Sequence, residues 1–142
     1  MIRAFEGNDL TAVMQIWLDT NIKAHYFIPG EYWTGNYDAV KGALSQAEVY
    51  VYEDDTEKRI DGFIGLSDDY IEGIFVREGV RSQGIGKQLL DYAKRIKSNM
   101  SLRVYQENTR AIKFYQREQF AVQSESTDEN TNQREYVMVW KR

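Results

Sequence analysis

The chain has 142 residues, with 18 Lys or Arg against 22 Asp or Glu, so its formal net charge is −4. It contains no Cys and one His, which excludes disulfides, a Cys nucleophile and a multi-histidine metal site within the chain. A chain of this length typically forms one domain, which we expect to span residues 1–142. We expect no metal cofactor.

The acidic balance argues against a nucleic-acid partner, because phosphate backbones attract a basic protein face. No apolar run approaches the roughly 18 residues that a membrane span needs. The first residues, Met1 to Glu6, lack the apolar stretch of a signal peptide. We therefore expect a cytoplasmic protein with no membrane partner.

The first half of the chain predicts one strand, two helices and then three strands. Apolar residues from Leu10 to Trp17 recur at helical spacing, and Asn8 can cap that helix. Three β-rich runs with short polar links then indicate an antiparallel meander. The predicted elements are a strand at 2–5, a helix from 8 to near 25, a helix at about 31–44, and strands at 49–52, 60–66 and 70–77.

The second half begins with a glycine-rich segment that opens an amphipathic helix. Asn108 opens another helix, and two strands end the chain. The predicted elements are helices at 87–97 and from 108, strands at 101–106, 120–124 and 136–140, and a polar loop at 126–133. The order β-α-α-β-β-β-α-β-α-β-β predicts an α/β (α+β) fold, with helices packed on a mixed sheet.

The segment from Arg81 to Gly86 predicts an anion site. The first turn of a helix has unpaired N–H groups and the positive end of the helix dipole. Gly84 and Gly86 carry no side chain that would keep a phosphate from this backbone, and Arg81 and Lys87 add positive charge. A glycine-rich helix start without any ligand is the alternative.

Two common phosphate loops do not fit this segment. A Walker loop needs Lys directly after its second Gly, but Ile85 follows Gly84. A dinucleotide fingerprint that begins at Gly84 needs a third Gly at position 89, where the chain has Leu89. A nucleotide-dependent phosphotransferase is therefore disfavoured.

The pattern Arg81-x-x-Gly84-x-Gly86 between a strand and a helix resembles the GNAT superfamily of acyl-CoA-dependent N-acyltransferases. Asn108 after the next strand, and Phe114-Tyr115 on the helix, resemble a second element of that family. The resemblance implies a mostly antiparallel sheet of about seven strands with about four helices. Residues in 17–33 and 135–140 are similar to a small stand-alone bacterial subgroup that includes protein-lysine acetyltransferases.

The resemblance also implies that acetyl-CoA is the co-substrate, and it indicates which residues would contact acetyl-CoA. The loop amides would bind the pyrophosphate, and the preceding strand would run beside pantetheine. Asn108 would touch the CoA arm, although it is equally a good helix cap. The implied CoA-binding residues are Ile74, Phe75, Val76, Arg81, Gln83, Gly84, Ile85, Gly86, Lys87, Asn108 and Tyr115.

Tyr115 would be the general acid that protonates the leaving thiolate. Its alternative is a core aromatic, but adjacent helical residues point about 100° apart. We expect Phe114 to face the core, which leaves Tyr115 for the site. Tyr105 is a rival donor, although a strand Tyr is usually a packing residue.

The acceptor amine must lose a proton, and Glu72 is the candidate base. We expect it on the strand face of Ile74, acting directly or through water, with a solvated strand Glu as the alternative. Tyr70 shares the predicted face of Glu72 and is a candidate substrate contact. His25 is a candidate base or substrate contact, because an imidazole titrates near neutrality, or else a structural residue.

The sequence thus predicts an N-acetyltransferase that transfers acetyl directly to a primary amine. A protein lysine is the favoured acceptor, and a small amine, an amino acid or a protein N-terminus are the alternatives. A non-enzymatic acyl-CoA sensor on the same fold is the rival of another class. Nothing in residues 22–37 predicts the shape of an acceptor pocket.

Overall fold

The structure is a computed structural model that describes residues 1–80 and 83–142. It has seven strands and five α-helices over these residues, with a 3-10 turn at Gly7–Asp9 before the first helix. In chain order they are β1 Ile2–Ala4, α1 Leu10–Ala24, α2 Gly30–Gly35, α3 Tyr37–Leu44, β2 Glu48–Glu53, β3 Ile60–Ser67, β4 Tyr70–Val76, α4 Ile85–Ile96, β5 Asn99–Tyr105, α5 Thr109–Arg117, β6 Ala121–Asp128 and β7 Gln133–Lys141.

The strands form one sheet in the order β1-β2-β3-β4-β5-β7-β6. Every neighbouring pair is antiparallel except β4 and β5, which are parallel. That parallel pairing covers Tyr70 with Ser101 and Ile71 with Leu102. Over the described residues, β4 and β5 do not pair with each other beyond those two pairs, although β4 stays paired with β3 and β5 with β7. The sheet therefore opens between β4 and β5.

The sheet separates two apolar clusters, because side chains along a strand alternate between its faces. One cluster gathers Leu89, Leu102 and Met138 on the side of α4 and α5, which we call the α4–α5 face. The other gathers Trp17 and Phe63 on the side of α1, α2 and α3, the α1–α3 face. The predicted fold is confirmed, with five α-helices where about four were expected.

The helix predicted at 31–44 is in fact two helices that meet at Asn36. The Asn36 side-chain Nδ2 donates to the Tyr32 carbonyl oxygen at 2.6 Å, and its backbone N–H bonds the same carbonyl at 3.2 Å. A side chain that satisfies the last carbonyls of a helix ends it, and Gly35 just before it weakens the helix further.

Asn8 does not cap α1. A capping box before α1 links Glu6 and Asp9, in which the Glu6 backbone N–H donates to Asp9 Oδ2 at 2.8 Å. At the other end of the chain, the loop predicted at 126–133 shrinks to 129–132, because β6 and β7 stay paired from Asp128 with Gln133 onward. Polar side chains do not prevent strand pairing here, since β6 is an exposed edge strand.

A β-bulge in β4 changes the face of Glu72. Gly65 pairs with Gly73 while Leu66 pairs with Ile71, so Glu72 is the extra residue. Ile71 and Ile74 consequently share the α4–α5 cluster although they are three residues apart.

No helix of the described chain is long and apolar enough to cross a membrane.

Candidate active site

A cleft of about 990 Å³ lies between the second half of β4, the start of α4 and one side of α5, and the end of α1 closes it. It brings together nine residues that the sequence singled out. They are His25, Ile74, Phe75, Val76, Gly84, Gly86, Lys87, Asn108 and Tyr115. Gln83, Ile85, Tyr70 and Glu72 are not among its lining residues, and Arg81 lies outside the described residues.

The glycine segment places the N-terminus of α4 at the cleft. Gly84 precedes α4 with a φ of +73°, and its carbonyl accepts the first helical hydrogen bond, from the Gln88 N–H at 3.0 Å. Residues that carry a side chain rarely adopt that left-handed φ. A Cβ at position 84 would, however, meet no described heavy atom within 4 Å. The backbone conformation, rather than crowding, therefore favours glycine at position 84.

Gly86 differs from Gly84. A Cβ there would lie 3.7 Å from Phe114 Cζ and from Val76 Cγ2, which is ordinary van der Waals contact. The absent side chain at position 86 leaves the helix start open towards β4 and α5.

The positive rim that the sequence predicts is partly neutralised in the structure. Lys87 Nζ lies 3.1 Å from Glu118 Oε1 and 3.3 Å from Asp91 Oδ2. These two carboxylates raise the pKa of Lys87, so the side chain stays charged but is paired. The N–H groups at the start of α4 are then the main positive feature of the loop among the described residues.

Tyr115 is more deeply buried than Phe114, contrary to the expectation from helical spacing. Its side chain is 8% exposed, and its ring packs against Phe114 and Phe120 with centroids 5.3 Å and 5.5 Å away. Phe114 is half-buried, and both residues line the cleft. Burial raises the pKa of Tyr115 well above its ordinary value, so the hydroxyl keeps its proton at neutral pH.

Asn108 has both of its side-chain polar atoms engaged. Its Oδ1 accepts from the Ala111 backbone N–H at 3.3 Å, which confirms the predicted helix cap. Its Nδ2 lies 3.3 Å from His25 Nε2.

His25 is enclosed by aromatic rings. The imidazole stacks on Trp33 at a centroid distance of 5.2 Å and meets Tyr105 and Phe27 edge-on at 5.1 Å and 5.7 Å. Burial lowers the pKa of His25 to about 4, so the ring is neutral at pH 7. We call His25, Phe27, Trp33 and Tyr105 the His25 cluster.

Tyr70 and Glu72 lie on the α1–α3 face, so the prediction that Glu72 shares the face of Ile74 is wrong. A Cβ at Gly65, which points to that face, would lie 3.7 Å from Glu72 Cβ. The bulge is the physical reason, because an inserted residue reverses the alternation that the prediction assumed. Burial raises the pKa of Tyr70, and the nearby Glu72 raises it further.

Sequence reasoning included Glu135 in the closing segment but gave it no role, although this residue on β7 is only 7% exposed. Glu135 pairs with Tyr105 in the sheet and accepts a hydrogen bond from Ser126 Oγ at 3.2 Å. Its charge also contributes to the raised pKa of Tyr70. The signal was the alternation of β7, in which Tyr136 and Met138 pack into the α4–α5 cluster and leave Glu135 for the other face.

Comparisons with known proteins place this arrangement in a family. The chain is 30% identical to the peptidyl-lysine N-acetyltransferase YiaC of Escherichia coli K12, over 99% of this chain and 96% of YiaC. It is 29% identical to the peptidyl-lysine N-acetyltransferase YjaB of the same strain, over 85% of this chain and 80% of YjaB.

Solved structures have the same fold. The solution structure of apo YjaB from E. coli superposes with a TM-score of 0.86 at 24% identity, covering 98% of this chain and 95% of YjaB. A Bacillus anthracis protein in complex with acetyl coenzyme A has a TM-score of 0.60 at 24% identity, covering 68% of this chain and 62% of that chain.

The family profile described as an acetyltransferase (GNAT) domain matches residues 45–122, more than half of the chain. That stretch carries β4, the glycine segment, α4 and α5, which together form most of the cleft. The chain therefore belongs to the GNAT family of acetyltransferases.

Proposed function

We propose that the protein transfers the acetyl group of acetyl-CoA directly to lysine side chains of other proteins. One observation carries the site assignment: the second half of β4, which among the described residues pairs with β3 but not with β5, faces a cleft whose wall holds a buried, protonated Tyr115. The names of the two relatives, both peptidyl-lysine N-acetyltransferases, support lysine as the acceptor.

The cofactor half of the site uses mainly backbone groups. N–H groups of Gln83 to Lys87 would hold the pyrophosphate at the helix N-terminus. Within the described part of the chain, no strand pairs with the edge of β4 over Ile74 to Val76 on the side of β5, so its peptide groups would be available to pantetheine. A peptide N–H of this edge would also stabilise the negative charge that develops on the thioester carbonyl oxygen.

The chemistry is acyl transfer without an enzyme-bound intermediate. The amine nitrogen attacks the thioester carbonyl carbon, a C–N bond forms, and the C–S bond breaks. The attacking nitrogen gives up one proton to water as the amide forms. The leaving sulfur takes the proton of the Tyr115 hydroxyl, which later recovers one from solvent. The raised pKa of Tyr115 keeps the hydroxyl protonated until the thiolate forms.

The amine must arrive neutral, although a free lysine has a pKa of about 10.4. Glu72 is exposed beside Tyr70 on the α1–α3 face, and it would take the amine proton directly or through a water. Asp68 and Asp69 are exposed in the turn that leads into β4, and they add negative charge that attracts a cationic acceptor.

The test is a mass-shift screen with acetyl-CoA and a matched acceptor panel. The panel holds lysine peptides with free and blocked N-termini, the same peptides with acetylated lysines, and small amines. Acetylation of the N-terminally blocked lysine peptides is expected. Transfer confined to N-termini or small amines would overturn the lysine assignment, and CoA binding without any transfer would favour the sensor.

A further inference from the structure

His25 joins the α1–α3 face to the wall of the cleft. It is the first residue after α1, and its backbone is fixed at both groups. The His25 N–H donates to the Asn21 carbonyl at 2.9 Å, and its carbonyl accepts from the Ile28 N–H at 3.0 Å. With its ring packed in the His25 cluster, the imidazole has a fixed position.

The cap of α5 fixes the orientation of the Asn108 amide. A backbone N–H can only donate, so the atom that faces the Ala111 N–H must be the amide oxygen. The NH2 group then faces His25, at 3.3 Å from Nε2. Since an NH2 group only donates, this contact is a hydrogen bond only if Nε2 accepts. The proton of the neutral ring then lies on Nδ1, which is buried and has no hydrogen-bond partner among the described residues.

Three residues from three elements close a ring of contacts. The Asn108 N–H donates to the Tyr105 carbonyl at 3.0 Å, the Tyr105 ring meets the His25 ring, and His25 meets the Asn108 amide. This ring holds the first turn of α5 against the ends of β5 and α1. Tyr115 lies seven residues after Asn108, about two turns along the same helix.

We propose that His25 is a positioning residue for acetyl transfer: its Nε2 lone pair holds the Asn108 amide, and thereby α5 and Tyr115, in place beside the cleft. A general acid must lie within hydrogen-bond reach of its target, so a small shift of α5 lowers turnover without removing any group that touches substrate. For its kinetic readout this inference rests on the proposed function.

The first experiment compares His25→Phe with His25→Gln. Phe keeps an aromatic ring for the cluster but offers no acceptor, whereas Gln offers an amide oxygen but no ring. Loss of this one hydrogen bond in His25→Phe should lower kcat about three- to tenfold. His25→Gln should stay within about twofold of wild type, because its acceptor replaces the one that Phe lacks.

The opposite ranking, with His25→Phe active and His25→Gln impaired, would show that His25 only packs and would overturn the proposal. Thermal unfolding of both variants identifies any loss that comes from misfolding.

A double-mutant cycle adds Asn108→Ser, which keeps a good helix cap but lacks the amide N–H. If His25 acts through Asn108, then His25→Phe should cost little in the Asn108→Ser background. Additive losses would overturn the proposal.

A last experiment needs no acceptor. The chain has one histidine, so ¹⁵N-labelled protein gives a single pair of imidazole nitrogen signals. The Nδ1–H tautomer is expected at pH 7 in wild type and should be lost or mixed in Asn108→Ser. An Nε2–H tautomer in wild type would overturn the proposal. This result is independent of whether lysine is the acceptor, so failure of the two proposals can be told apart.

Discussion

The two faces of the sheet at the cleft are built in different ways. On the α4–α5 face, most of the cleft comes from residues 74–76, 84, 86 and 87 and from one helix, α5. On the α1–α3 face, the polar side chains come from separate elements. His25 follows α1, Tyr70 and Glu72 lie on β4, and Glu135 lies on β7. The first face offers backbone N–H groups and the second offers side chains. A short sequence motif can therefore specify the part of the site that would bind acetyl-CoA. Recognition of the acceptor depends instead on side chains that are far apart in the sequence and can vary independently.

The largest expected effect comes from Tyr115→Phe, because Tyr115 lies in the wall of the cleft where acetyl-CoA and the acceptor amine would meet. Loss of a general acid typically costs about 10²–10⁴ in rate, so turnover should fall by that factor. Acetyl-CoA affinity should stay unchanged, because the ring remains. Thiol release measures turnover and calorimetry measures affinity.

Tyr136→Phe is the matched control for Tyr115→Phe. Tyr136 is half-buried on the same α4–α5 face and does not line the cleft, so its hydroxyl should be dispensable. Turnover of Tyr115→Phe within twofold of wild type would show that water protonates the thiolate.

Gly84→Asp tests the cofactor half. The Asp side chain brings a negative charge to the position proposed for the pyrophosphate and must adopt a φ of +73°. We expect at least about a tenfold loss of CoA affinity, equal to about 1.4 kcal/mol. Gly84→Asn introduces a side chain of the same shape that also tolerates a left-handed φ but carries no charge, so it should bind CoA better than Gly84→Asp. Unchanged affinity in a folded Gly84→Asp would remove the loop from the cofactor site.

Glu72→Gln tests the acceptor half. If Glu72 takes the amine proton, turnover should fall several-fold at neutral pH, and the defect should shrink at high pH, where more amine is already neutral. If Glu72 merely attracts cationic acceptors, the variant should raise KM in a salt-sensitive way and keep the pH profile.

Asp69→Asn is the control for simple attraction, since Asp69 is an exposed carboxylate at the start of β4. It should change KM alone. Identical turnover and KM for wild type and Glu72→Gln at every pH and at two salt concentrations would show that Glu72 is only a solvated strand residue.

The smallest expected effect is on stability and concerns the His25 cluster. The folded chain holds the pKa of His25 at about 4. The unfolded chain protonates His25 near its ordinary pKa of about 6.5. Unfolding therefore takes up a proton between these values, and the free energy of unfolding falls as pH drops through that window.

His25→Gln lacks the titrating group and should lose less stability between pH 7 and pH 5. The difference from wild type should be on the order of 1–2 kcal/mol by urea unfolding. Equal pH dependence in the two proteins would show that His25 is not desolvated.

Much of the fold follows from local pattern. The apolar stripe of α4, the cap at Asn108 and the meander of β2 to β4 are all local signals, and the structure confirms them. Glu72 shows where such reasoning ends. Glu72 is the extra residue of a bulge that arises from the pairing of β3 with β4, and the alternation of residues within β4 does not predict this bulge.

The two aromatic residues of α5 show a second limit. Helical spacing correctly indicates that Phe114 and Tyr115 diverge, but the depth of each depends on what packs there. Phe120 folds back onto Tyr115 and buries it. Likewise, the pairing of Lys87 with Glu118 depends on how α4 and α5 meet, which spans 31 residues of sequence.

The short parallel seam between β4 and β5 has a mechanical consequence. Four strands lie on one side of it and three on the other, and two residue pairs join the strands at one end. Few backbone hydrogen bonds therefore join the two parts of the sheet. Beyond the two residue pairs, β4 and β5 leave edges that are open towards each other. A molecule bound between those edges would hold the two parts of the sheet together, so amide exchange should slow along both open edges when it binds.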